Sequence, residues 1–176
     1  VAVVIRPKVI RDRKTREVIE TLSPSQRGHK LLDDLGITGE DERSRFRFIA
    51  GDIEQPLFGI EEAQVELLRR SITHVIHCAA SVSFDAAYDD SFKANVLGSR
   101  NALSFSLLLQ ETMGSPFVSH ISIETSYIHG RQQDMVARED ELFFPGNFYN
   151  NHYELTKAMA SIETERFMYE AGLRVV

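Results

Sequence analysis

The stretch Ile72-Thr73-His74-Val75-Ile76-His77-Cys78-Ala79-Ala80-Ser81 decides the fold. It opens as a short apolar, β-branched run, which reads as a central strand, and small residues then break it. Downstream, Asp89 to Met113 reads as a long helix and Pro116 to Ile123 as another strand. A second helix follows over Asn151 to Ala171, with Gly172 as its stop, and Leu173-Arg174-Val175-Val176 begins a further strand. Upstream, Val1-Ala2-Val3-Val4-Ile5 reads as a buried strand with no polar face. Arg45 to Ala50 alternates charged and apolar residues and turns at Gly51-Asp52. Glu61 to Arg70 places Ala63, Val65, Leu67 and Leu68 as an amphipathic helix would. From Arg11 to Gly36 the pattern reads as helical, broken in two by Ser23-Pro24-Ser25. Apolar strands separated by more than a dozen residues call for crossovers. The expectation is therefore an α/β fold with a doubly wound parallel sheet, one domain over residues 1–176 and no second domain. The polar stretch from Tyr127 to Asn150, with Pro145 and Gly146 near its end, is long enough to suggest a functional loop.

Composition narrows the function. Of the 176 residues, 43% are hydrophobic and 26% charged, the balance of a soluble globular protein. The formal net charge of −6 argues against a general nucleic-acid binder. No apolar run is long enough to span a bilayer and nothing resembles a signal peptide, so a cytoplasmic location is expected. The single cysteine, Cys78, excludes a disulfide framework within the chain, and its setting reads as that of a small buried hydrophobe. The six histidines, His29, His74, His77, His120, His129 and His152, form no His-x-x-x-His pair, and no metal site is expected. His77, at a strand end, reads as structural.

In open α/β sheets ligands gather at the carboxyl ends of the strands. Four strand ends are chemically distinctive: Arg6-Pro7-Lys8, Gly51-Asp52-Ile53, Cys78-Ala79-Ala80-Ser81, and Ser122-Ile123-Glu124-Thr125-Ser126-Tyr127. Beyond them, Tyr153 and Lys157 stand four residues apart, on one face of a helix. A free phenol, with a pKa of about 10, carries protons poorly near neutrality, and a neighbouring ammonium favours its ionised form.

With these motifs in place the chain resembles the extended short-chain dehydrogenase/reductase superfamily. Within it the likeness is to the branch of thioester reductase domains and fatty acyl-CoA reductases. The stretches that carry it are Val3-Val4-Ile5-Arg6-Pro7, Gly51-Asp52-Ile53, and His74 through Phe84. They continue with Phe92-Lys93-Ala94-Asn95-Val96-Leu97-Gly98-Ser99-Arg100-Asn101, Thr125-Ser126-Tyr127-Ile128-His129-Gly130, and Tyr153 to Lys157. They occur in family order over nearly the whole chain. A lone Tyr-x-x-x-Lys is a weak signal; the Ala-Ala-Ser-Val-x-Phe run followed by Asn-Val-x-Gly-x-x-Asn is far more specific.

There are two departures. None of the ten glycines forms the G-x-G-x-x-G turn that cradles a dinucleotide pyrophosphate, so the chain looks like a Rossmann domain without its first strand, glycine loop and first helix. Glu124 stands where the branch usually has serine before the catalytic threonine.

The resemblance implies a Rossmann-like fold and a catalytic set of Thr125, Tyr153 and Lys157, with Lys157 also holding the nicotinamide ribose. It implies cofactor contacts from Arg6, Asp52, Ile53, Ala79, Ala80, Ser81 and Asn95, the last with a structural and proton-relay part. Arg6 suits the 2′-phosphate of NADP, where an acidic residue would suit NAD. The implied activity is NADPH-dependent reduction of an acyl thioester, carried by coenzyme A or a carrier protein, to aldehyde or alcohol. Two other readings share these residues: a nucleotide-sugar epimerase or dehydratase of the extended type, and a non-catalytic NADP-sensing protein. The second normally lacks the Tyr or the Lys, both present here.

Overall fold

The computed structural model describes residues 1–132, 134, 136–138 and 148–176. Pro145 and Gly146 lie outside the described residues. The chain divides into two compact units, one of Val1–Asp52 with Phe58–Ile60, the other of Ile53–Leu57 with Glu61–Val176.

In the first unit β1 (Ala2–Ile5) pairs in parallel with β4 (Arg47–Ala50), Ala2 opposite Arg47 and Ile5 opposite Ala50. Between them run an antiparallel hairpin, β2 (Lys8–Arg11) with β3 (Val18–Leu22), then α1 (Pro24–Asp34) and the short α2 (Glu40–Arg43). The helical reading of Arg11 to Leu22 is thus corrected. Val18, Ile19 and Thr21 are β-branched and favour a strand. The Asp12 carboxylate, accepting from the backbone N–H of Lys14 and Thr15 at 2.7 Å each, folds the turn. Ser23-Pro24 begins a helix rather than breaking one. The Ser23 hydroxyl accepts from the Gln26 N–H at 3.2 Å, the Gln26 side chain accepts from the Ser23 N–H at 2.8 Å, and Pro24 takes the first helical position. Leu32 fills the core, and Gly28 gives room for Phe48 of β4, whose ring would lie 2.2 Å from any added Cβ. β1 is only half-buried, because it has one ladder partner.

In the second unit β5 (His74–His77) pairs in parallel with β6 (Ser119–Ser122), and Val175 bridges His120 in parallel as the start of the expected last strand. α3 (Glu62–Arg69) precedes β5 and buries Val65 and Leu68. A helical stretch follows as α4 (Tyr88–Phe92), a π-helical turn over Lys93–Leu97, and α5 (Gly98–Glu111). α5 buries Ala102, Leu103, Phe105 and Leu109, and packs on β5, β6 and α6 (His152–Ala171). Gly172 ends α6 in the left-handed conformation that suits glycine, φ 64°.

Two expectations for β5 are corrected. Ile76 is 64% exposed, and Cys78 is exposed rather than buried. Side chains alternate between the faces of a strand: His77 faces α5, where it meets Ser99, so Ile76 points to the opposite face, and Cys78 lies just past the end of β5.

Candidate active site

The chemically distinctive residues of the second unit gather at the carboxyl ends of β5 and β6. Lys157 sits in the second turn of α6 and is 5% exposed. Its ammonium donates to the Ile123 carbonyl at 2.8 Å and lies 3.1 Å from a Glu124 carboxylate oxygen. The helix is thereby anchored to the exit of β6, where Thr125 caps a 3₁₀ turn over Ser126–His129. The Thr125 hydroxyl accepts from the Tyr127 N–H at 3.3 Å. That turn closes on Gly130, φ 62°, where an added Cβ would meet the Phe148 carbonyl at 2.7 Å. Glycine is therefore required there by both conformation and space.

Tyr153 lies one turn before Lys157, and the start of α6 is fixed around it. The Asn151 side chain accepts from the Glu154 N–H at 2.9 Å, and the buried Glu154 carboxylate accepts from the Asn150 N–H at 2.8 Å. Capping of this kind satisfies N–H groups that the helix leaves open. The Tyr153 ring packs on Phe84 with centroids 5.5 Å apart, and Phe84 also meets Tyr127 at 6.4 Å. Among the described residues the Tyr153 hydroxyl has no hydrogen-bond partner.

Asn95 explains itself once its contacts are known. It is 1% exposed and lies in the π-helical turn, a local widening frequent at functional sites. Its amide oxygen accepts from the Ser81 N–H at 2.7 Å. Its amide nitrogen donates to the Ser81 carbonyl at 3.1 Å and to the Thr156 hydroxyl at 2.9 Å. One side chain thus ties the loop after β5, which contains Ala79, Ala80 and Ser81, to α6 between Tyr153 and Lys157. The Ile53 carbonyl accepts from Asn101 Nδ2 at 2.7 Å.

In the first unit Arg6 and Asp52 leave the ends of β1 and β4 and face each other at 3.8 Å, with side chains 62% and 31% exposed. The Asp52 N–H donates to the Phe58 carbonyl at 2.9 Å.

Beneath the second-unit site lie two buried imidazoles. His77 Nε2 is 3.1 Å from the Ser99 hydroxyl and His120 Nδ1 is 2.8 Å from that of Ser106. Burial lowers both to a pKa of about 4, assisted by the Lys157 charge at His77 and by His77 at His120. Both are neutral at physiological pH and serve the core, as the sequence suggested for His77. Among the described residues no group of His, Cys, Asp and Glu has the arrangement to hold a metal ion, and no helix is long and apolar enough to cross a membrane.

Sequence reasoning passed over three participants. Thr156 carries no signal by itself, and Phe84 showed only as the end of the Ala-Ala-Ser-Val-x-Phe run, since their contacts with Asn95 and Tyr153 come from the fold. Glu124 showed only as a departure from a pattern, yet it is the charged partner of Lys157. The arrangement puts Tyr153 and Lys157 one turn apart on α6 and bonds Lys157 to the exit of β6 that leads into Thr125. A phenol, an ammonium and a hydroxyl are groups able to donate to an oxygen.

A family of NAD-binding domains described as Male sterility protein matches residues 2–176. Fatty acyl-CoA reductase 1 of Homo sapiens is 29% identical over 108 residues, which is 61% of this chain and 20% of that protein. The chain therefore spans about a fifth of the length of such relatives. Among solved structures, the terminal R domain of the myxalamid PKS-NRPS biosynthetic pathway aligns over 99% of this chain and 40% of its own, with TM-score 0.73 and 23% identity. UDP-glucuronic acid 4-epimerase from Bacillus cereus, in complex with NAD, aligns over 82% of this chain and 40% of its own, with TM-score 0.57 and 19% identity. The fold is thus Rossmann-like, of the extended short-chain dehydrogenase/reductase type.

Proposed function

Because the chain belongs to the Male sterility protein family of NAD-binding domains, we propose that it carries the active site of an NADPH-dependent reductase of acyl thioesters. The observation that carries this reading is Lys157, buried and bonded to the Ile123 carbonyl beside Thr125, one helical turn from a Tyr153 hydroxyl that has no hydrogen-bond partner among the described residues.

The donor set suits a nicotinamide ribose. The Lys157 ammonium donates to the Ile123 carbonyl and is ion-paired with Glu124, and its remaining donor capacity suits a ribose hydroxyl. Ala79, Ala80 and Ser81, with their loop held by Asn95, would border the same cofactor. Arg6 would select NADPH through its 2′-phosphate, and Asp52 and Ile53 would meet the adenine end. When bound, NADPH supplies a hydride for the thioester carbonyl carbon.

The chain's own residues manage the oxygen and its proton. Thr125 and Tyr153 donate to the carbonyl oxygen as negative charge develops on it. Tyr153 then gives up its proton, and the Lys157 charge stabilises the phenolate that remains. The hemithioacetal so formed breaks its C–S bond, releasing thiol and aldehyde. A second hydride would give the alcohol. Exposed Phe84 and Tyr127, packed in series with Tyr153, offer an apolar approach suited to an acyl chain. The acyl carrier is coenzyme A or the phosphopantetheine arm of a carrier protein.

The test is NADPH oxidation by the protein with an acyl-CoA and, separately, with a nucleotide sugar. Oxidation with the acyl-CoA alone supports this reading. Turnover of the sugar without net consumption of cofactor would replace it with an epimerase, and binding of NADPH with no turnover of either would replace it with a sensor.

A further inference from the structure

Glu124 lies just past the end of β6, and both of its carboxylate oxygens are engaged. Oε1 accepts from the Ser122 hydroxyl at 2.7 Å. Oε2 accepts from the Ser161 hydroxyl at 3.0 Å and lies 3.1 Å from the Lys157 ammonium. Ser122 belongs to β6, while Ser161 stands one turn beyond Lys157 on α6, so the carboxylate is held from strand and helix at once. The Lys157 side chain is only 7% exposed, and an ammonium so far from water needs a formal counter-charge in addition to a carbonyl dipole. Serine, which the related branch usually has at this place, would offer a hydrogen bond but no charge.

We infer that Glu124 is a positioning residue for Lys157: clamped by Ser122 and Ser161, it fixes the ammonium at the end of β6 in the orientation that meets the cofactor ribose. This deepens the proposed function and rests on it for the role of Lys157. It also makes a claim about the lysine alone, which can be tested without substrate or cofactor.

The experiment measures how fast acetic anhydride acetylates Lys157 in the folded protein, by mass spectrometry of the Lys157 peptide, and in parallel the kinetic constants for NADPH and an acyl-CoA. In Glu124→Gln, loss of the charged partner should speed acetylation about ten-fold and raise the NADPH KM by a similar factor, with the acyl-CoA KM unchanged. Glu124→Asp, which keeps the charge, should recover most of both. Acetylation at the unaltered rate in a folded Glu124→Gln protein overturns the inference. Should Glu124→Gln fail to fold, the Ser122→Ala/Ser161→Ala double variant removes both clamping hydroxyls and leaves the ion pair. It should acetylate several-fold faster, and no change there overturns the inference equally. If Lys157 is released as expected while the unaltered protein reduces no acyl thioester, the positioning role stands and the reductase reading falls. If the unaltered protein reduces acyl thioesters but Lys157 reactivity ignores Glu124, the reverse holds.

Discussion

Two ion pairs stand at strand ends of this molecule, with carboxylates almost equally exposed and cations held very differently. Arg6 and Asp52, at the ends of β1 and β4, are 3.8 Å apart with side chains 62% and 31% exposed. Lys157 and Glu124, at the end of β6, are 3.1 Å apart with side chains 7% and 30% exposed. Arg6 is mostly exposed and Asp52 partly so, and exposed pairs contribute little to stability. The second is fastened by the Ile123 carbonyl and two serine hydroxyls, so its ammonium is held before any ligand arrives. That difference matches the two tasks proposed. Recognition of a phosphate at the edge of a site tolerates an adaptable guanidinium, whereas proton transfer needs groups already in place.

The comparison predicts unequal consequences of mutation. Lys157→Ala should be the most severe, lowering kcat by about 10²-fold or more and weakening NADPH as well, because one ammonium is assigned to both tasks. Steady-state kinetics together with NADPH titration check this; loss of affinity with normal kcat would make the buried pair a binding device only. Thr125→Ala should cost less, about ten- to a hundred-fold in kcat, since Tyr153 remains to hold the oxygen. Combined with Lys157→Ala its effect should be far from additive, which a double-mutant cycle in kcat/KM would reveal. At the exposed pair, Arg6→Ala should leave kcat nearly intact and shift preference from NADPH towards NADH by about ten-fold, the worth of one charge-assisted contact. Equal weakening of both cofactors would show that the guanidinium serves structure, and the contrast between the pairs would collapse.

A smaller effect comes from what lies under the buried pair. His77 and His120 have pKa values of about 4 in the folded protein, against 6.5 as the reference value. The unfolded chain therefore binds protons first as pH falls. The stability these neutral imidazoles confer is fully present above about pH 6.5 and lost progressively down to about pH 4. Moving from pH 7 to pH 6 should cost about 1 kcal/mol for the two together, seen as a lower thermal midpoint. His120→Gln should flatten that dependence, and an unchanged slope would mean that the acid sensitivity lies elsewhere.

How far the sequence could be read depended on whether a signal was local. The β-branched run around Val75, the glycine after α6 and the paired Tyr153 and Lys157 are all written within a few residues, and each element stands where they point. Arg11 to Leu22 misled because its charged residues occur at spacings a helix would also accept; the Asp12 turn and the β-branched Val18, Ile19 and Thr21 decide for a hairpin. Cys78 and Ile76 read as enclosed because an apolar strand is normally covered on both faces, whereas α5 covers the His77 face of β5, Ile76 points the other way and Cys78 lies past the strand end. Asn95 stood out as an amide in a helix, but only the fold brings Ser81 and Thr156 to it. Glu124 lay beyond reach for the same reason, since its partners Ser161 and Lys157 are more than thirty positions away, 37 and 33 by their numbers.

The central claim is that Thr125, Tyr153 and Lys157 together protonate an oxygen while hydride adds to an acyl thioester carbon. The most direct measurement supplies NADPH deuterated at the transferable position together with an acyl-CoA, and follows deuterium into the aldehyde or alcohol for the unaltered protein and for Tyr153→Phe. The phenylalanine variant keeps the ring against Phe84 and removes only the hydroxyl. The account predicts one deuterium per hydride added in the unaltered protein, and in Tyr153→Phe the same labelled product formed about 10²- to 10⁴-fold more slowly with NADPH affinity barely changed. Labelled product forming at a near-normal rate in Tyr153→Phe, or no deuterium reaching the acyl carbon in the unaltered protein, would contradict it.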